Sequence, residues 1–109
     1  MPLTSILSVQ VRPDRFAHYE ELVGNLAARA IDQRDAFHWA AYQTAVGELG
    51  ALHFVSEEPD FAGVAARGST QELIHRVLGE EEGAKALASM LECTISQQMT
   101  ISLDRPELS

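Results

Sequence analysis

Apolar and polar residues alternate, with few exceptions, along the C-terminal segment from Glu92 to Leu103. One parity carries Cys93, Ile95, Met99, Ile101 and Leu103, and the other carries Glu92, Thr94, Ser96, Gln98, Thr100 and Ser102. A period of two is typical of a β-strand with one apolar and one polar face. This polar face holds mainly hydroxyls and amides, whereas a solvated face usually collects charged side chains. The pattern therefore predicts a strand whose polar face lines a sheltered cavity.

The N-terminal part predicts a strand followed by a long helix. Residues from Leu3 to Val11 alternate in the same way, with Ile6 on the polar parity. Pro13 then suits the first turn of a helix, where its missing N–H has no intrahelical partner to lose. Apolar residues recur at spacings of three and four to about Arg34, which predicts an amphipathic helix.

Two more strands are predicted in the middle of the chain. Residues 36–44 are rich in aromatic side chains, and residues 49–56 form a second short apolar run. Gly47 and Gly50 bracket the connection between them, so the two segments can form a hairpin.

Helical segments follow the third strand. A short helix comes first, and then Ser69 or Thr70 caps a further helix, with Glu72 placed to complete a capping box. Gly79 and Gly83 are expected to interrupt the helical pattern, which resumes after Gly83 and leads into the final strand.

The order strand, helix, strand, strand, helices, strand indicates an α+β fold. Two split βαβ units give the ferredoxin-like arrangement, a four-stranded antiparallel sheet with its helices on one face. At 109 residues the chain is expected to form a single domain over residues 1–109. The other face of the sheet must then contact water or a partner.

Charge and cysteine content exclude several classes. The formal net charge is −8, which argues against nucleic acid or an anionic membrane as a partner, since both require a basic patch. Cys93 is the only cysteine, so no intramolecular disulfide forms, and its parity predicts a buried side chain. The N-terminal segment has neither a basic region nor a long apolar run, so we expect a cytoplasmic protein without a signal peptide.

Four features of the chain together match a known family. The first strand ends in VRP (residues 11–13), the long helix carries Phe16, and the second strand is aromatic. The passage FVSEEPDF (residues 54–61) leads from a strand through an acidic turn into a short helix. In these features the chain resembles the dimeric α+β barrel superfamily, in particular proteins similar to antibiotic biosynthesis monooxygenases. The resemblance implies that two chains pack their open sheet faces together as a homodimer, closing a barrel around a cavity in each subunit.

The resemblance does not extend to the residues of the haem-degrading members. Haem-degrading members have an Asn on the first strand, a Trp after the third strand and a His on the next helix. This chain has Gln10 or Ser8 at the first place and Phe61 at the second, so only His75 can fill the third. The histidines show no metal-ligand spacing either, and we expect no cofactor and no metal.

The strand parities predict a set of residues on the open sheet face. This set comprises Ser8, Gln10, Thr94, Ser96 and Gln98 as cavity-lining residues, and His38, His53 and Tyr42 as candidate catalytic residues. A histidine can transfer protons near neutral pH, and a tyrosine can polarise a carbonyl. The alternative is that His38 and His53 only bond to sheet neighbours or lie at the dimer interface, and that Tyr42 only packs.

Two classes of function fit this reading. The first is a cofactor-independent monooxygenase-like enzyme, or a proton-transfer catalyst, acting on a small aromatic or polyketide-like metabolite. The second is a non-enzymatic homodimer that binds a ligand or a partner. The sheltered polar strand face favours a real cavity, whereas the missing oxygenase residues favour the second class.

Overall fold

The computed structural model describes residues 2–47 and 49–108. Its helices and strands, in chain order, are β1 (Leu3–Val11), α1 (Phe16–Asp32), β2 (Ala40–Gln43), β3 (Ala51–Glu58), α2 (Phe61–Arg67), α3 (Thr70–Leu78), α4 (Glu80–Cys93) and β4 (Thr94–Leu103). Short 3-10 turns lie at Pro13–Arg15 and Pro106–Leu108. Within the described residues, no helix combines the length and the apolar character needed to cross a bilayer.

The four strands form one antiparallel sheet in the order β2-β3-β1-β4. This order, with the helices packed on one face, is the ferredoxin-like α+β fold, so the predicted fold class is confirmed. The buried core joins β1 and β3 to α1, α3 and α4. Leu3, Val9 and Val11 are buried on the odd parity of β1, which therefore faces the helices, and the even parity faces the open side.

The helix α4 runs without interruption through Gly83, so the break predicted there is wrong. Gly83 is buried where α3 and α4 cross, and a Cβ built on it would lie 3.1 Å from the Cα of His75. The glycine thus allows a close approach of two helices. The predicted cap of α3 is present, because the Ser69 hydroxyl accepts a hydrogen bond from the Glu72 N–H at 3.1 Å.

The second strand is shorter than predicted, Ala40–Gln43 instead of residues 36–44. Residues 36–39 form an irregular segment after α1. The Asp35 carboxylate accepts the backbone N–H of Phe37 at 2.9 Å, and this contact takes a donor that a sheet ladder would otherwise use. The rings of Phe37 and Trp39 meet edge to face with centroids 5.9 Å apart, and both pack against the core.

The last strand begins at Thr94, because α4 extends to Cys93, which is buried as predicted. A register shift between Gln10 and Val11 pairs Thr94 with the core residue Val11. Along the rest of β4 the odd, apolar parity faces the helix side, yet Met99, Ile101 and Leu103 are about half exposed. The strand lies at the edge of the sheet and contributes no residue to the buried core cluster, so the helices leave its apolar face partly uncovered.

Candidate functional site

The open sheet face carries one row of polar residues that crosses all four strands. Tyr42 of β2 lies opposite His53, His53 opposite Ser8, and Ser8 opposite Gln98. Gln10 and Ser96 pair in the next even row of β1 and β4. Directly opposed residues of an antiparallel pair project to the same face. The structure therefore places all six of these predicted residues on the open face.

The His53 imidazole lies between two hydroxyl groups. Its Nδ1 shares a hydrogen bond of 2.9 Å with Ser8 Oγ, and its Nε2 shares one of 3.1 Å with Thr44 Oγ1. A neutral imidazole has one donor and one acceptor nitrogen, and both are already used here. A substrate could exchange a proton with His53 only through one of these hydroxyls or after displacing it. The acid–base role of His53 and Tyr42 stays a prediction.

Two of the predicted site residues lie elsewhere. His38 precedes β2 and borders a surface recess together with Ile31 and Asp35, so its predicted place on the second strand is wrong. Thr94 lies on the helix side because of the register shift, and its hydroxyl donates to the carbonyl of Met90 at 2.8 Å. Strict alternation along the strand assigns Thr94 to the open face. A β-bulge adds one residue and reverses that assignment, and the alternation alone does not reveal it.

A partly open cavity of about 60 Å³ lies on the opposite side of the sheet, between the sheet and the helices. Its walls are mostly apolar, and they include Leu7, Val23, Trp39, Phe54, Leu73 and Ile74. Because one water needs roughly 10–15 Å³ of such space, the cavity can hold several waters or one small ligand group. Met90 and Met99 also line it, and flexible thioether side chains let a cavity adapt to a larger guest.

Arg67, at the end of α2, brings a charge into this apolar cavity. Its Nη2 donates to Ser5 Oγ at 2.8 Å, and its Nη1 donates to Ser56 Oγ. The guanidinium carbon lies 4.8 Å from the centre of the Phe37 ring, a cation–π distance. Ser5 and Ser56 are opposed in register on the helix side of β1 and β3, so both strands present a hydroxyl to the arginine.

Tyr19 supplies a phenol to the same cavity. Burial raises its pKa to about 12, and the thiol of Cys93 nearby acts in the same direction. The phenol therefore keeps its proton throughout the physiological range and can act as a hydrogen-bond donor. It cannot act as a base there.

This set of polar groups was not predicted from the alternation of residues along the chain. A signal was available, because Ser5 and Ser56 interrupt the otherwise apolar parity of their strands. Two serines at core positions of adjacent strands indicate a buried polar partner, because buried hydroxyl groups are normally hydrogen-bonded. Nothing in the sequence pattern indicated that this group is Arg67, since its contact with Ser5 joins residues far apart in the chain.

The residues of the cavity do not fit a haem site. Phe61 is 64% exposed, and neither Phe61 nor His75 is among the lining residues. The Nδ1 of His75 is buried at the α3–α4 crossing, 3.0 Å from the position that a Cβ of Gly83 would take. Among the described residues, no group of three or more histidine, cysteine or acidic side chains could hold a metal ion.

Comparison with solved structures shows a common fold. A NIPSNAP family protein from Agrobacterium tumefaciens is 13% identical, with a TM-score of 0.68 over 97% of this chain and 95% of the other. A NIPSNAP domain protein from Burkholderia xenovorans is 10% identical, with a TM-score of 0.70 over 95% of each chain. An antibiotic biosynthesis monooxygenase is 12% identical, with a TM-score of 0.64 over 95% of this chain and 99% of the other.

Neither a family model nor a curated protein matches the chain. At sequence identities of 10–13%, the solved structures show that the fold is shared and show nothing about activity. They agree with the resemblance drawn from the sequence, because antibiotic biosynthesis monooxygenases are among them. The chain therefore has the α+β fold that NIPSNAP and antibiotic biosynthesis monooxygenase structures share.

Proposed function

We propose that this protein binds a small, largely apolar or aromatic metabolite in the cavity between its sheet and its helices. The observation that carries the proposal is the composition of that cavity, apolar on most sides with a hydrogen-bonded polar group at Arg67. Small-molecule sites commonly combine apolar walls with a few placed polar groups. A cavity that served packing alone would not need a buried arginine.

The activity we propose is a cofactor-independent, monooxygenase-like oxidation of an electron-rich aromatic ring. In such a reaction dioxygen is the oxidant. One oxygen atom becomes a ring carbonyl, and the other leaves as water with the two hydrogens that the ring loses. The ring supplies all four electrons that reduce the two oxygen atoms, so no external reductant is needed. The protonated Tyr19 phenol and the Arg67 guanidinium could stabilise negative charge on the ring oxygen as the reaction starts.

The alternative is a protein that binds the same ligand without turning it over. Both versions predict binding, and only the first predicts oxygen consumption. Trp39 lines the cavity and is the only tryptophan of the chain, so its fluorescence reports binding directly.

We expect ligands from a panel of polyphenols and quinols to change the emission of Trp39, and the oxidisable ones to consume oxygen at an electrode. The Val23→Phe variant should weaken binding by about tenfold or more, since the larger ring fills the cavity. Val46→Phe is the matched control, because Val46 is 95% exposed. Binding that is unchanged in Val23→Phe would place the ligand elsewhere, and binding without oxygen consumption would leave the non-enzymatic version.

We also propose that two copies pack through the open sheet face, as a cytoplasmic homodimer. The face has an apolar row next to the His53 row, in which Val55 lies opposite Ile6 on one side and Ala40 on the other. A twofold contact is the commonest way to cover such a face. An obligate homodimer of this kind typically buries roughly 2,000 Å² or more in total.

Light scattering at low micromolar concentration should give about twice the chain mass of 11.9 kDa. Val55→Lys should shift the protein towards the monomer, because each copy would bury an unpaired ammonium group in the contact. The same change at Val46, which is exposed outside the sheet, should leave the mass unchanged. A stable monomer of the unaltered chain would contradict the proposal.

A further inference from the structure

The side chain of Arg67 is only 8% exposed, although it carries a full charge. Burying a guanidinium is costly unless an opposite charge and acceptors surround it. Its two hydrogen-bonding partners, Ser5 and Ser56, are neutral hydroxyls. They satisfy two of the five N–H donors and neutralise none of the charge.

The nearest carboxylate neutralises this charge incompletely. Glu58 Oε1 lies 3.8 Å from Nη1, which is beyond hydrogen-bond distance, and the Glu58 side chain is itself 20% exposed. The Nε atom of Arg67 is buried and has no acceptor among the described residues. The cavity wall thus holds a cation with a distant counter-ion, and the guanidinium keeps N–H donors without an acceptor.

A purely structural role explains only part of this arrangement. The contacts with Ser5 and Ser56 connect the end of α2 to the centre of the sheet, and a structural arginine could make them. Such a role leaves the buried Nε without a function. A neutral side chain of similar length would also anchor α2 without the cost of burying a charge.

We propose that the cavity binds a small carboxylate, with the carboxylate group on the Arg67 guanidinium and the apolar body against the cavity walls. This inference rests on the proposed ligand-binding function and names the class of ligand. A carboxylate can accept from two of the remaining N–H groups in the bidentate geometry that guanidinium favours. The ligand anion replaces Glu58 as the principal counter-ion of Arg67.

Benzoate and benzamide form a suitable pair of probes, because they have nearly the same shape and differ in charge. Titrations followed by the fluorescence of Trp39 should give a dissociation constant for benzoate about tenfold or more below that for benzamide. The chain's net charge of −8 disfavours anions in general, so this preference requires a local cation. Benzamide binding as tightly as benzoate would overturn the inference and leave the binding function standing. Binding of neither probe at millimolar concentration would overturn the inference, and the panel of polyphenols and quinols would still decide the binding function.

Two glutamate variants test the role of the counter-ion. Glu58→Gln should strengthen benzoate binding several-fold and leave benzamide binding unchanged, because it removes a competing carboxylate. Glu57→Gln makes the same charge change on the open face of the sheet, where Glu57 lies opposite Thr4, and should alter neither affinity. Equal benzoate affinity in the two variants would overturn the inference.

Arg67 itself is tested with two substitutions. Arg67→Lys keeps the charge but loses Nε, and should reduce the preference for benzoate. Arg67→Met should abolish that preference while benzamide still binds. A folded Arg67→Met protein that retains the preference would overturn the inference, and if this variant does not fold, the two glutamate variants decide.

Discussion

Phe54→Ala is expected to lower the free energy of unfolding by about 3 kcal/mol, the lower end of the range for truncating a core phenylalanine. Phe54 is half-buried on the helix side of β3, where it packs against the core and lines the cavity. Phe61→Ala is the matched control, because Phe61 is 64% exposed and should lose less than about 0.5 kcal/mol. Urea denaturation of the three proteins gives the comparison.

His53→Ala, the change at the neighbouring position, should cost only about 1 kcal/mol for its two hydrogen bonds. The predicted acid–base role of His53 would place the reaction on the open face of the sheet and not in the cavity, and under that role this variant should lose turnover while remaining folded. A His53→Ala protein that unfolds, beside a Phe54→Ala protein that is fully stable, would show that the two faces of β3 are assigned in reverse.

Asp35→Asn is expected to destabilise the protein by about 1–3 kcal/mol at pH 7, as the loss of charge-assisted hydrogen bonds does. The Asp35 side chain is 8% exposed and accepts from Arg76 Nε at 2.7 Å and from Arg76 Nη2 at 2.9 Å. It also accepts from the backbone N–H of Phe37 at 2.9 Å, which orders the segment carrying Phe37 and Trp39 into the cavity. The variant should therefore also shift the emission of Trp39.

The pH dependence gives a second measurement of the same contact. The hydrogen bond from Arg76, helped by the Phe37 N–H and by nearby positive charge, holds the pKa of Asp35 below its ordinary value of 3.8. A carboxyl group with a lowered folded-state pKa stabilises the protein at pH values above its unfolded pKa. That contribution is lost as the pH falls below about 4 and through the folded pKa.

The stability difference between Asp35→Asn and the unaltered chain should therefore shrink in acid. Asp14→Asn serves as the control, because the Asp14 side chain is 65% exposed and its contact with Arg12 is a surface ion pair. Thermal unfolding measured between pH 3 and pH 7 checks both variants. A difference that stayed constant over this range would show that the charge of Asp35 does not stabilise the fold.

The alternation of residues was enough to predict the fold. Leu3, Val9 and Val11 share one parity of β1, and each is buried against the helices. The order of strands and helices is then compatible with few topologies, and the split βαβ arrangement is the expected one. Local chemistry was equally predictable, as at Ser69, because a helix cap depends on residues three apart in the sequence.

The sequence pattern could not place residues whose positions depend on distant contacts. Thr94 lies on the helix side and not on the predicted open face, because β4 has one extra residue between the partners of Gln10 and Val11. His38 left the predicted strand because Asp35, held by Arg76 of α3, bonds the backbone after α1. Both outcomes depend on how the elements pack, which no local period encodes.

Within the regular parts of the strands, sequence by itself thus determined which residues share a face, since the period of a strand is a local property of the chain. Tertiary structure alone decided where the cavity between the sheet and the helices lies and which charge enters it. Arg67 reaches Ser5 and Ser56 only because α2 folds back over two strands that are adjacent in space and distant in sequence. The physical reason is that a binding site is formed by the packing of separate elements.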